Sequence, residues 1–224
     1  MPTADTFDLP PVLHRTDALV RHLELRHLND MEDVARNAEQ LSGWVLQTGT
    51  RFFKAIFGDD DTARCQLERW ICRGDSEFCG LLATIALNDF SPAGVIVAMS
   101  GSEVGRRRRS DFLALMGASG RERRLMLKQN LQVLANATPP IRESDFYIRS
   151  LAVDKAHRGC GIGRALINAA INDGAAAGHR RFRLDVDTDN DPALALYRSC
   201  GFEAISESWL PQFGFGMYSM VLET

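Results

Sequence analysis

Leu19, Leu23 and Leu25 share one parity, which predicts a strand ending near Arg26. Asn29 or Asp30 can cap a helix that carries Met31, Val34, Ala35 and Ala38 at helical spacing. A second helical stretch covers roughly 41–57 and stops at Gly58; Asp59 to Asp61 can cap a third, with Leu67, Trp70 and Ile71 along it. The apolar runs 81–87 and 93–99, joined by a turn-rich segment, predict a hairpin. Residues 103–137 are helical again, with a break at Gly117–Gly120. FYIRSLAV (146–153) has the character of a buried strand, and Gly161–Gly178 of a helix with Ile162, Ala165, Leu166, Ala169 and Ala170 on one face. Phe182, Leu184 and Val186 alternate with Arg181, Arg183 and Asp185, the pattern of a half-exposed strand. Asp191-Pro192 begins a helix that ends at Gly201, and two strands near 202–208 and 216–223 close the chain. That element order predicts one mixed α/β domain over 17–224. Residues 1–16, with three of the eight prolines and no periodicity, are expected to form a flexible tail.

Composition narrows the class. The chain has 224 residues, 45% hydrophobic and 25% charged, which excludes a disordered or collagen-like protein. No apolar run reaches the ~18 residues of a membrane span, and the N-terminus lacks a basic start and an apolar core, so no membrane and no secretory signal are expected. A net charge of −3 makes nucleic acid an unlikely general partner. The five cysteines, odd in number and dispersed, are expected to be free thiols in the cytoplasm. Cys65, Cys72 and Cys79 recur every seven residues, but zinc sites favour closer pairs, and no metal is expected. Cys65 and Cys72 are expected to pack on one helix face as small apolar residues.

The segment with the clearest chemistry is Arg158-Gly159-Cys160-Gly161-Ile162-Gly163, set between a buried strand and a helix start. A helix N-terminus presents unpaired N–H groups and a partial positive charge, and glycines let backbone close around an anion. A phosphorylated ligand follows from that. No Lys-Ser or Lys-Thr pair follows the last glycine, and the GxGxG spacing misfits the dinucleotide fingerprint GxGxxG.

Residues 147–202 resemble the core of the GNAT superfamily of N-acetyltransferases. The family's loop, Arg/Gln-x-x-Gly-x-Gly/Ala, is met by Arg158, Gly161 and Gly163 after a strand ending Leu151-Ala152-Val153. Its second motif is met by Asn190, Ala193, Tyr197, Gly201 and Phe202. The resemblance implies a mixed, mostly antiparallel central sheet flanked by helices, with a cofactor core over 146–202. It implies acetyl-CoA as cosubstrate, without metal, and an amine acceptor as the other partner; a homodimer stays open. By resemblance the loop residues Arg158, Gly159, Cys160, Gly161, Ile162 and Gly163, with Arg164, hold the pyrophosphate. Backbone of Leu151, Ala152 and Val153 pairs with the pantetheine arm, Asn190 contacts the cofactor, and Tyr197 protonates the leaving thiolate. Lys155 stands where the family often has Pro, and Cys160 where it often has Arg or Lys.

A general base is not assigned: Glu143, Asp145, Asp185 and Asp187 all read as solvated surface charges. Between residues 104 and 128 stand seven Arg and one Lys against one Asp and one Glu. That patch could attract an acidic acceptor, though a solvated helix face, Arg106 to Arg109 included, is the plainer reading. It lies in a helical insert of about 101–145, between the third and fourth strands, where the resembled family has a short turn. Insert and loop 209–215, with Trp209, Phe213 and Phe215, are expected to wall the acceptor pocket. The expected function is N-acetyltransfer from acetyl-CoA to a primary amine by direct attack. A noncatalytic acyl-CoA-binding sensor or regulatory module is the alternative.

Overall fold

The computed structural model describes residues 22–224; the expected tail at 1–16 and Leu19 lie outside the described residues. Along the chain run β1 (Leu23–His27), α1 (Met31–Gln47), α2 (Thr50–Phe57), α3 (Asp60–Ile71), β2 (Ala83–Asn88), β3 (Ser91–Ser100), α4 (Gly101–Gly117) and α5 (Arg121–Ala135). There follow β4 (Asp145–Val153), α6 (Ile162–Ala176), β5 (Arg181–Asp187), α7 (Asp191–Ser199), β6 (Glu203–Leu210) and β7 (Phe215–Glu223). The strands form one seven-stranded sheet in the order β1-β2-β3-β4-β5-β7-β6. Every neighbouring pair is antiparallel except β4 and β5. The expected mixed, mostly antiparallel α/β sheet, with an insert between its third and fourth strands, is therefore the observed one.

Alternation along β3 divides the core. Val95 and Val97 face the helices of the first half, while Ile96 faces α6. On the first side Trp44, Phe53, Leu67, Trp70 and Phe78 are buried, with the Trp70 and Phe78 rings stacked at 5.4 Å. Each large apolar side chain so buried contributes about 1.5–3 kcal/mol.

Three local expectations change. The first helix runs unbroken to Gln47, because Leu41, Trp44 and Val45 continue the buried stripe of Val34 and Ala38. The break falls instead at Thr48–Gly49, where the Thr48 hydroxyl donates to the Val45 carbonyl at 2.7 Å. The hairpin loop is only Asp89–Phe90, at φ 48° and 65°, so Ser91 to Gly94 belong to β3. A register shift at Ala86/Leu87 accommodates Pro92, which has no N–H to give the ladder. Cys65 and Cys72 are exposed rather than packed, and only Cys79 of those three is buried.

The arginine run divides: Arg106, Arg108 and Arg109 are exposed, as expected of a solvated face, whereas Arg107 is buried. Arg107 is 8% exposed and donates to the carbonyls of Gly74 and Ser76 at 2.9 and 3.0 Å. Arg108 donates to Glu77 at 2.9 Å and Arg106 to Glu103 at 3.0 Å. Gly101 begins α4 where a Cβ would meet the Arg142 carbonyl at 2.0 Å, so the insert's two ends close on each other.

Asp111, buried under α4, accepts from the Ser76 hydroxyl and the Glu77 amide. Burial outweighs these bonds and pushes its carboxyl up to about 6. A raised carboxyl binds its proton in the native state first, so stability falls as pH rises from 4 through 6 and is level above that. Lowering the pH from 7 to 5 is expected to add about 1 kcal/mol through this group. Urea midpoints at the two pH values check this. Asp111→Asn should remove the difference, and a variant that retains it assigns the effect elsewhere.

Candidate active site

The site begins where two strands part. β4 and β5 pair from Asp145–Arg181 to Ile148–Leu184 and no further. β5 stays paired to β7 through Asp187, and β4 to β3 through Val153. At the fork the register of β3 shifts between Val97 and Ala98, which face Ser150 and Ile148, so Arg149 is the extra residue of a bulge. Beyond it the side of β4 that faced β5 has unpaired backbone N–H and C=O groups, an edge for an extended ligand.

A cavity of about 740 Å³ occupies the fork. Leu151, Ala152 and Val153 line it from β4, and Arg158, Gly159, Gly161, Ile162, Gly163 and Arg164 from the loop and α6. Gly159 and Gly161 sit at φ +79° and +82°, a conformation that other residues adopt only with strain. No side chain caps α6, so its first-turn N–H groups are left for a ligand. Gly163 has another role: a Cβ there would lie 2.9 Å from Leu196 Cδ2, so its smallness serves α6–α7 packing.

Arg158 donates to the Val153 carbonyl at 3.2 Å and to Gln47 at 3.4 Å, tying the loop to β4 and α1. Arg164 donates to the Ser199 carbonyl and hydroxyl at 3.1 and 2.9 Å. Cys160 is the one predicted loop residue outside the cavity lining; its thiol turns to the Arg158 carbonyl at 3.7 Å. Asn190 lines the cavity and also caps α7, accepting from the Ala193 amide at 3.3 Å, with its amide nitrogen left to donate elsewhere.

Tyr197 also lines the cavity, from α7, 7% exposed, its ring 6.1 Å from that of Phe202. Its hydroxyl has no hydrogen-bond partner among the described residues, and burial pushes the phenol well above its ordinary range. Across the cavity, β5 departs from the half-exposed strand expected of it. Arg183 is 1% exposed, and Asp145 and Asp185 are likewise buried rather than solvated. Asp145 holds Arg181 and accepts from the Arg142 amide. Asp185 Oδ1 accepts from Arg183 at 2.8 Å and from Ser219 at 2.7 Å, while among the described residues Oδ2 accepts only from the Tyr147 hydroxyl at 3.2 Å. Tyr147 in turn accepts from Arg108 at 3.3 Å, so α4 of the insert reaches the fork. Burial raises the Tyr147 phenol to about 12, which keeps its proton in place.

Glu143 alone of the four carboxylates is fully on the surface. Asp187, half-buried, binds Arg51 of α2 at 2.9 Å, and Arg51 also binds Asp189 and lies 5.5 Å over the Phe215 ring. This clasp borders a second cavity of about 310 Å³ that shares Gln47, Thr48, Asn190 and Pro192 with the first. The aromatics of the terminal loop divide: Phe213 and Phe215 pack into the core, whereas Trp209 is 63% exposed and faces away from it. Among the described residues no group of His, Cys, Asp or Glu is placed to hold a metal ion, and no helix is long and apolar enough to cross a membrane.

The sequence thus left Tyr147, Arg149, Glu77 and Arg51 unmarked, and Asp185, read there as a solvated surface charge, is part of the site instead. One signal was available: Tyr147 and Arg149 interrupt an otherwise apolar strand, and charges on a strand covered on both faces must find partners.

A family model described as Acetyltransferase (GNAT) family matches residues 52–202. The chain is 44% identical to N-alpha-acetyltransferase RimI of Mycobacterium tuberculosis over 68 residues, 30% of this chain and 39% of that protein. It is 46% identical to mycothiol acetyltransferase of Kocuria rhizophila over 56 residues, 25% of this chain and 18% of that one. It therefore spans less than two thirds of the length of the curated relatives it matches. An N-acetyltransferase from Staphylococcus aureus Mu50 shares the fold, with a TM-score of 0.64 at 17% identity over 89% of this chain and 100% of that one. With more than half of its length under the family model, and with the forked sheet, the glycine loop and the motif tyrosine in one cavity, the chain belongs to the GNAT acetyltransferase family.

Proposed function

We propose that the protein transfers the acetyl group of acetyl-CoA to a primary amine by direct attack. The observation that carries this is the fork itself. An uncapped helix N-terminus, an unpaired strand edge and a buried phenol line one cavity, the three kinds of group that pyrophosphate, pantetheine and thioester call for. When bound, acetyl-CoA supplies the thioester carbonyl as electrophile. The amides of 158–163 hold the pyrophosphate, the edge at 151–153 pairs with the amides of the pantetheine arm, and Asn190 offers its side-chain amide. Tyr197 keeps its proton at neutral pH and presents it toward the departing sulfur. Asp185 takes a proton from the acceptor ammonium at Oδ2, the oxygen with capacity to spare. The backbone freed by the bulge at Arg149 faces the carbonyl oxygen, where an N–H stabilises developing negative charge. Five free thiols accord with a reducing, cytoplasmic setting.

Thiol release from acetyl-CoA, followed over a panel of primary amines, tests the reading; amine-dependent release with a matching N-acetyl product is expected. A protein that binds acetyl-CoA and transfers to none of them is the noncatalytic module instead. Gly161→Val tests the loop. At φ +82° a β-branched residue is strained, and the loop must shift although the Cβ itself meets nothing within 4 Å. The rise in melting temperature on adding acetyl-CoA is expected to vanish in this variant. A full rise would place the phosphates elsewhere.

A further inference from the structure

Ile148 and Leu184 form the last rung between β4 and β5, so Arg149 and Asp185 are the first residues beyond it, one on each arm of the fork. Both line the cavity. Both side chains lie on the same face of the sheet: Arg149 over the rings of Phe52 and Phe78, Asp185 beside Tyr147 and Ser219. They carry opposite charges and yet do not pair with each other. Asp185 is bound to Arg183, Ser219 and Tyr147. Arg149 has one acidic neighbour, Glu77, at 3.4 Å, and Glu77 is held more closely by Arg108 at 2.9 Å.

The Arg149 side chain is 12% exposed. Its buried Nε faces Glu77 Oε1 at 3.4 Å without forming a hydrogen bond, and no protein acceptor among the described residues takes its terminal nitrogens; its Cζ lies 4.3 Å from the Phe78 centroid. The joined cluster contains Arg108, Arg149 and Arg183 against Glu77 and Asp185, one cation in excess. A guanidinium largely withdrawn from water with its two terminal nitrogens unspent favours an anion, and that pair of donors matches a carboxylate.

We propose that the acceptor is an amine that also bears a carboxylate, an amino acid rather than a simple alkylamine, with Arg149 as the residue that selects it. The amine lies at Asp185 Oδ2 and the carboxylate on the Arg149 guanidinium. The Phe78 ring fixes the guanidinium plane, and Arg108, from the insert, holds Glu77 away from full neutralisation of Arg149. This rests on the acetyltransferase reading for the amine and on the charge cluster alone for the carboxylate.

Two readouts separate the two. Isothermal calorimetry on the CoA-loaded protein compares L-amino acids with their carboxamides, and thiol release from acetyl-CoA compares the same pairs as acceptors. The acids are expected to bind at least tenfold more tightly than the amides and to show the higher kcat/KM, although amides have the less basic and more available amine. Arg149→Met, which keeps an apolar stem against Phe78, should bring the acid-to-amide ratio close to one, mainly through KM. Arg149→Lys, which keeps the charge and loses the fork, should restore part of it. Amides that bind and react as well as acids overturn the proposal, as does a ratio unmoved in both variants. Binding of acids over amides without transfer to any of them keeps the carboxylate site and defeats the acetyltransferase reading.

Discussion

Tyr197→Phe lowers kcat by about 10²–10⁴-fold at neutral pH and leaves acetyl-CoA binding nearly unchanged, the range expected for loss of a general acid. The substitution is clean because the Tyr197 hydroxyl has no hydrogen-bond partner among the described residues, and its ring keeps its place against Phe202. A buried group held only for packing would show the opposite pattern, a change in stability with normal turnover. Burial raises the phenol, so its proton is retained through the mildly alkaline range and the wild-type rate does not decline there on its account. Single-turnover acetyl transfer with saturating acetyl-CoA isolates the chemical step. An unchanged rate in that assay removes Tyr197 from the mechanism, whatever its position in the cavity.

Asp185→Asn is expected to lower kcat/KM for the amine by about 10²-fold or more at pH 7, with acetyl-CoA binding retained. A primary amine whose pKa lies well above 7 is mostly ammonium at that pH, so a group that accepts its proton governs the rate. Asn keeps the shape, and its one oxygen can still accept from Arg183 and Ser219, but its amide nitrogen only donates, so at the Oδ2 position it faces the Tyr147 hydroxyl as a donor and cannot take a proton from the acceptor. The deficit should therefore shrink as pH rises toward the amine's own pKa, because solvent then does the deprotonation. Asn also leaves Arg183, 1% exposed, without its counter-charge, and some stability is lost with it. A deficit that stays constant from pH 7 to 10 makes Asp185 a structural partner of Arg183. The pH profile therefore separates the two roles where a single rate does not.

Local physics settled much of this protein before any tertiary contact formed. Strand parity, helix spacing, the Asp30 and Asp59 caps and the Gly178 and Gly201 stops placed the elements, because those signals act within a few residues. The glycine loop was equally legible. Gly159 and Gly161 take positive φ, and the first turn of α6 lacks a cap, both properties of the chain itself. Motif spacing placed Tyr197, since Asn190 starts α7 and the tyrosine falls two turns later on its buried face.

Tertiary structure decided the acceptor side. Whether a charged strand face meets water or protein depends on what covers it. Arg181, Arg183 and Asp185 alternate with apolar residues as a solvated face does, but tertiary packing covers Arg183, which is 1% exposed and donates to the Pro139 carbonyl at 3.2 Å. The arginine run shows the same thing: helical periodicity alone cannot tell Arg107, buried on the carbonyls of Gly74 and Ser76, from a solvated arginine one position away. The fork is the least local feature of all. It needs β3 to skip Arg149, β5 to turn to β7 and α4 to bring Arg108 across β4, pairings between residues tens of positions apart. The cofactor side is built from short stretches and declares itself in sequence, whereas the acceptor side is assembled from six separate segments and exists only once the sheet has closed.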